Sequence, residues 1–284
     1  MYTLDRALVL GAGGPVGAAW MAGLACGLRY DRVDLSEADL IVGTSTGAII
    51  GAVLATGQDP SRLAAPVRPA DTGTTPPQVD GHRLGEAFAV LGNAASDPAE
   101  ARRRVGQIAL AADTGPEQAH IIRMRALADA DQWPDGQLLI PGTDAETGEQ
   151  KVFDRASGAP LPFAVAASTA FPGIYPPITI NGRRYMDGAL HSATNAQLAA
   201  GARTLVVIDP QAHLFPRELL HRELAFVAAY TVVTIEPDLA SIRTFGSDLN
   251  DRAAWEPAYQ AGLRQAADVA EQLRPAWKAG SDTD

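Results

Sequence analysis

Ser45 stands between two glycines in Gly43-Thr44-Ser45-Thr46-Gly47, after the apolar run Leu40-Ile41-Val42 and before a helix-forming stretch from Ala48 to Thr56. A strand that turns sharply into a helix through a serine holds that hydroxyl clear of the backbone. The turn is so tight that only small residues fit two positions to either side, which gives Gly43 and Gly47 a steric purpose. The free N–H groups at the start of the following helix favour negative charge developing nearby. Such a serine could attack an acyl carbonyl. With 27 glycines in 284 residues the bare pattern could arise by accident; the strand before it and the helix after it are part of the motif.

An attacking serine needs a place for the oxyanion and a base. Gly11-Ala12-Gly13-Gly14-Pro15-Val16-Gly17 could supply the first, since glycines let backbone N–H groups crowd a reacting oxygen. The same chemistry cradles phosphates, so a nucleotide-binding module is a rival reading of this loop. It fails the dinucleotide fingerprint: starting from Gly11, the third glycine position falls on Val16, and the frame that uses Gly14 and Gly17 starts on Ala12. No Gly-Lys-Ser/Thr follows to make a Walker loop.

For the base, Asp187 in Tyr185-Met186-Asp187-Gly188 follows a strand-like run, and Gly188 allows a sharp turn. An aspartate within reach of a serine can orient it and accept its proton. A plain turn-forming Asp-Gly is the alternative. Of the histidines, His191 alone has a motif-like setting; His82, His120, His213 and His221 read as structural or solvated.

The elements that must position these residues form a simple series. Arg6–Leu10 reads as a buried strand, Gly11–Gly17 as a loop and Ala18–Tyr30 as a helix; Asp39–Val42 then leads into the serine turn and its helix. Strand, loop and helix in repetition predict a parallel sheet with crossover helices. Residues 66–81 are rich in Pro, Thr and Gly and read as loop. The pattern to about Trp133 is helical, with Leu84, Phe88 and Leu91 on one face and Asp97-Pro98 as a helix start. Leu138–Ile140 and Gln150–Phe153 read as a hairpin, and Asn181-Gly182 between Ile178–Ile180 and Arg184–Met186 as a type I′ hairpin. Thr204–Asp209 is a further strand. Trp255, Tyr259, Leu263, Ala266, Ala270, Leu273 and Trp277 mark a long amphipathic helix whose aromatic stripe reads as core, and Gly280–Asp284 looks like a loose tail.

Composition narrows the classes. The net charge is −10, from 23 basic and 33 acidic residues. No sustained basic stripe could neutralise phosphates, so no nucleic-acid partner is expected; Arg102-Arg103-Arg104 reads as a solvated helix face. The lone Cys26 excludes an intrachain disulfide and reads as a buried thiol. The start of the chain lacks a signal-peptide pattern and no apolar run is long enough to span a bilayer. A cytoplasmic location is the expectation, with transient contact at a membrane surface left open.

Taken together, Gly11–Gly17, Gly43–Gly47 and Asp187-Gly188 resemble the oxyanion loop, nucleophile elbow and Asp-Gly motif of the patatin-like phospholipase family. Ala166-Ala167-Ser168-Thr169-Ala170-Phe171-Pro172-Gly173 is similar to the family's small-residue segment before the catalytic aspartate. The order and spacing agree over roughly residues 5–210. The resemblance implies a Ser–Asp dyad: Ser45 as nucleophile, Asp187 as base, and the amides of Gly13 and Gly14 as oxyanion donors, supported by Gly11, Gly17, Gly43, Gly47 and Gly188. His191 becomes a bystander and Asn195 a structural hydrogen-bonding residue. It implies a three-layer α/β/α fold with a mostly parallel central sheet. Residues 1–210 would be the hydrolase domain, 58–136 a helical insertion or cap, and 211–284 a C-terminal helical extension packed on the same domain. The implied activity is lipid acyl-ester hydrolysis without metal or cofactor. Two departures bear on substrate. Ala12 replaces a family glycine, and Val16 replaces a basic residue, which favours a neutral ester or a lysolipid over an anionic head group. A non-catalytic lipid- or partner-binding protein on the same scaffold is the alternative.

Overall fold

Apolar, β-branched runs form β1 (Leu4–Leu10), β2 (Leu40–Gly43), β7 (Ala202–Ile208) and β8 (Thr231–Ile235), which pair in parallel. Parallel strands covered on both faces read as continuous hydrophobic runs rather than alternating ones, as these do. The computed structural model describes residues 4–93 and 97–278; the expected tail at Gly280–Asp284 lies outside them. The chain divides into two compact units. The first takes the residues up to Pro66, Pro134–Leu139 and those from Ser192 on; the second takes Val67–Trp133 and Ile140–His191.

The first unit is a three-layer α/β/α arrangement. Its sheet runs β2-β1-β7-β8, extended beyond β2 by residues 137–139 of β3 (Gln137–Asp144). On one face Ala7, Val9, Leu40, Val42, Leu205 and Val207 pack against Ala196, Ala199, Leu220 and Val227; the last two lie on α8 (Glu218–Val227). The other face carries α1 (Gly14–Tyr30) and α2 (Thr46–Ala55), with Gly51 of α2 placed against Ile41, Leu138 and Leu10. Beyond α1 lies α10 (Trp255–Lys278), the amphipathic helix read from the sequence, with Trp255, Tyr259, Ala266, Ala270, Leu273 and Trp277 all buried. Its stripe is core. The segment after residue 210 is not wholly helical, however: besides α8, α9 (Leu239–Phe245) and α10 it supplies the edge strand β8.

The second unit carries α3 (Pro69–Thr72), α4 (Gly81–Leu91), α5 (Pro98–Ala111), α6 (Glu117–Ala128) and α7 (Leu161–Ser168) with an antiparallel ladder. Residues 140–144 of β3 pair with β4 (Gln150–Phe153) and with β6 (Arg183–Asp187), which pairs in turn with β5 (Ile178–Ile180). Asn181 and Gly182 both take positive φ (50° and 78°), the geometry a type I′ turn requires. Asp97 caps α5 by accepting from the Glu100 N–H at 3.0 Å, with Pro98 in the first turn. Two details add to the sequence reading. That reading places Leu84, Phe88 and Leu91 on one face of α4; Phe88 is 54% exposed, and it is Ala87 that is buried. Arg102 is half-buried and donates to the Gly148 carbonyl at 3.0 Å, so it is not a purely solvated residue like its neighbours.

Candidate active site

β1 and β2 are adjacent and in register, Leu10 opposite Gly43, so the loops that leave them emerge side by side at the carboxyl edge of the sheet. In open α/β sheets this is where ligands bind. After β1 comes Gly11–Gly13; after β2 comes the serine turn. The pairing of β1 with β2 thus brings the glycine loop and the serine turn to the same edge of the sheet within the first unit.

Ser45 has φ 55° and ψ −123°, a backbone state that side-chain-bearing residues rarely adopt. It is 8% exposed and stands at the N-terminus of α2, with no side-chain cap hydrogen bond. Both flanking glycines are obligatory. A Cβ on Gly43 would lie 2.7 Å from Cα of Ala48, and one on Gly47 would run into the Leu10 carbonyl. The turn is held by the Thr44 N–H on Leu10 O (2.9 Å), the Gly47 N–H on Thr44 O (2.8 Å) and the Thr44 hydroxyl on Thr194 O (3.1 Å).

The glycine loop has its own anchors. Gly11 N–H donates to Ile208 O (2.9 Å) and Ala12 N–H to Ala193 O (2.8 Å), while Val16 N–H reaches Leu249 O (3.1 Å). Gly14 has φ 59°, and a Cβ there would meet the Leu249 carbonyl oxygen at 2.6 Å; one on Gly13 would meet Pro210 at 2.8 Å. Among the described residues no acceptor bonds the amides of Gly13 and Gly14. They stand at the N-terminus of α1, where unpaired N–H groups and the helix dipole favour an anion. Val16 is fully buried, so the position where the family carries a cation here faces the interior. At the end of β7, burial pushes the Asp209 carboxyl up, opposed by Arg217 at 3.2 Å.

In the second unit Asp187 closes β6, 1% exposed, with its backbone fixed on both sides. Its N–H donates to Ala170 O (3.1 Å), in the small-residue segment singled out from the sequence, and its carbonyl accepts from the Thr143 hydroxyl (2.9 Å). Oδ1 accepts the Ala189 N–H (2.8 Å), which caps the turn Gly188–Leu190. A Cβ on Gly188 would run into the Pro141 carbonyl, so the glycine after the aspartate is required by space rather than by φ. His191 is pushed down to about 4 by burial, reinforced by the Arg102 guanidinium and weakly opposed by a Gly148 backbone hydrogen bond. It is a neutral imidazole at pH 7. His120 is fully buried, with Nε2 2.9 Å from the Thr169 hydroxyl and its ring stacked on Tyr175.

Asn195, expected as a structural hydrogen-bonding residue, has φ 54° and donates Nδ2 to the Thr44 hydroxyl (3.1 Å). The support beneath it was not legible in the sequence: Thr194 donates to Glu223 Oε2 (2.8 Å). The one available signal was Glu223 itself, a carboxylate spaced with Leu220 and Val227 on the apolar face of α8. Among the described residues no group of three His, Cys, Asp or Glu side chains could hold a metal, and no helix is long and apolar enough to cross a membrane.

A parallel α/β sheet that delivers a glycine loop and a strained serine turn to one edge defines the class of fold and turn found in α/β acyl hydrolases. The sequence profile of patatin-like phospholipases matches residues 8–200, and the chain belongs to that family. Among solved structures it is similar to VipD from Legionella pneumophila (TM-score 0.46, 12% identity, covering 94% of this chain and 67% of that one). It is also similar to the type III effector protein ExoU (TM-score 0.39, 17% identity, 94% of this chain and 53% of that one). The chain thus spans about two thirds of the first and about half of the second. The family assignment rests on the profile.

Proposed function

We propose that this protein is a serine-dependent lipid acyl hydrolase that works through a Ser45–Asp187 dyad. The observation that carries the reading is the strained backbone of Ser45 between two obligatory glycines, in the turn that follows β2, next to the strand β1 whose following loop carries the Gly13 and Gly14 amides. Strain of this kind persists only where the surroundings over-determine it, and it concentrates at functional sites. Asp187-Gly188 lies inside the family match over residues 8–200 and resembles the family's Asp-Gly motif, which supports the aspartate as partner.

In this reading Ser45 Oγ attacks the ester carbonyl carbon as Asp187 takes its proton. The carbonyl oxygen becomes an oxyanion, held by the amides of Gly13 and Gly14 with the α1 and α2 N-termini behind them. Collapse expels the alcohol, protonated by Asp187, and leaves an acyl-serine. Asp187 then draws a proton from water, which attacks the acyl carbon, and returns that proton to Ser45 Oγ as the C–O bond breaks and the fatty acid leaves. His191, neutral and turned to Gly148 and Arg102, has no step to perform. A buried Val16 offers no cation to a phosphate, which favours neutral esters or lysolipids as substrates and a lipid surface as the place of encounter.

The test is hydrolysis of p-nitrophenyl esters from short to long acyl chains by wild type, Ser45→Ala and Asp187→Asn, each checked for folding by circular dichroism. Both variants should lose at least about 10³-fold in kcat, the scale on which removing a nucleophile or its base acts. Activity that survives Ser45→Ala refutes the mechanism. A wild type inert on every chain length, in micelles as well as in solution, replaces the hydrolase with a lipid-binding protein.

A further inference from the structure

The segment from Ser192 to Ala196 touches both parts of the proposed machinery in the first unit. The Ala193 carbonyl accepts the Ala12 N–H at 2.8 Å and so holds the glycine loop. The Thr194 carbonyl accepts the Thr44 hydroxyl at 3.1 Å, and Asn195 Nδ2 donates to that same hydroxyl at 3.1 Å, which holds the residue before the serine. The segment is internally tied: the Ser192 hydroxyl accepts the N–H groups of Thr194 (3.2 Å) and Asn195 (3.0 Å), and the Ser192 carbonyl accepts Asn195 Nδ2 (2.7 Å). A displacement of this segment would therefore move the glycine loop and the elbow together.

A carboxylate on α8 supports it from outside. Oε2 of Glu223 accepts both the Thr194 hydroxyl (2.8 Å) and the Ala196 N–H (3.0 Å). Glu223 is 6% exposed, among Leu220, Leu224 and Val227 on the face of α8 that covers the sheet. A carboxyl group on an apolar helix face is costly unless its hydrogen bonds repay it. Here it makes two, to one oxygen, across the layer between α8 and the segment.

We propose that Glu223 is a positioning residue of the acyl hydrolase. From α8 it clamps Thr194 and Ala196, and through the Ser192–Ala196 segment it sets the Gly13–Gly14 amides against the Ser45 turn. The inference rests on Ser45 being the nucleophile. Among the described residues Glu223 makes no hydrogen bond to the serine turn or the glycine loop, so its loss acts on geometry: kcat falls while KM stays near the wild-type value. Misplacement by about 1 Å is enough to cost about 10²-fold.

The experiment uses the full chain and two readouts, p-nitrophenyl ester turnover and the rate at which a p-nitrophenyl alkylphosphonate derivatises Ser45. In the second, Oγ displaces p-nitrophenolate from phosphorus. Glu223→Leu removes the acceptor, Glu223→Gln keeps one in the same place, and Thr194→Val removes one donor. The expected result is a kcat and a labelling rate reduced by up to about 10²-fold in Glu223→Leu. Both should recover to within a fewfold in Glu223→Gln, and the Leu and Val changes should combine less than additively. A folded Glu223→Leu that labels and turns over like wild type overturns the inference and leaves the hydrolase standing. So does an equal loss in the Leu and Gln variants, or a loss that only follows the unfolded fraction. Should Glu223→Leu not fold, the Gln and Val variants decide: Thr194→Val with wild-type labelling and turnover overturns the inference. A wild type that is not labelled, or a Ser45→Ala variant labelled equally fast, brings down the nucleophile assignment and this inference with it.

Discussion

Ser45 holds a backbone state that costs a side-chain-bearing residue on the order of 1–3 kcal/mol. It is kept there by neighbours that cannot give: Gly43 and Gly47 leave room for no Cβ, and Thr44 is bonded from three directions. His191 illustrates a residue whose environment excludes a charge. Burial and Arg102 depress it to about 4 from an ordinary 6.5. Between these values the unfolded chain binds a proton that the folded chain refuses. Its effect on stability is thus neutral above pH 6.5 and increasingly unfavourable as pH falls toward 4. The melting temperature of wild type should fall across that window more steeply than that of His191→Gln, measured at matched ionic strength. Parallel curves for the two proteins would refute the assignment.

At the scale of elements, the most extensive contact between helices in the first unit is between α1 and α10, and small residues make it possible. Every residue from Val16 to Leu28 of α1 is buried. A Cβ on Gly23 would run into the Tyr259 carbonyl, and one on Gly262 into the Trp20 carbonyl, so the helix backbones touch at these points. A buried hydrogen bond ties the pair, Trp20 Nε1 donating to Gln265 Oε1 (3.1 Å), and Gln265 Nε2 in turn donates to the Glu236 carbonyl after β8 (2.7 Å). Glycine in a helix interior normally costs about 1 kcal/mol against alanine. Gly85 in α4, with nothing near its missing Cβ, should therefore be stabilised by alanine by about that amount. Gly262→Ala should go the other way, losing about 1–3 kcal/mol to overpacking against backbone that cannot yield. Thermal melts of the two variants give opposite signs if the helices approach as described, and the same sign if they do not.

At the scale of the whole molecule, the chain passes between its two units after Pro66, Trp133, Leu139 and His191, so neither unit is a continuous piece. Residues beyond 210 bring β8 against β7, α8 with Glu223 against the Ser192–Ala196 segment, and α10 against α1. A fragment of residues 1–210, although it contains the whole family match, should not melt cooperatively. It would expose α1 and leave the Trp20 indole without Gln265. A sharp, reversible transition for that fragment by circular dichroism would show that the C-terminal segment is dispensable.

The serine elbow, the glycine loop, the parallel strand–helix repeats, the Asn181-Gly182 hairpin and the α10 stripe were all legible in the sequence. Each is fixed by sterics or by a short period of apolar residues, and both act over a few neighbouring positions. Tertiary structure decided the rest. It turned Phe88 outward and Ala87 inward on α4, buried Val16, made a strand of Thr231–Ile235, set the Leu249 carbonyl against Gly14, and placed Glu223 under Thr194. The last two depend on partners 235 and 29 residues away (Gly14 to Leu249, Thr194 to Glu223), and no local pattern encodes which distant carbonyl or carboxylate will arrive. Local chemistry wrote the parts of the proposed site; long-range packing decided what holds them in position.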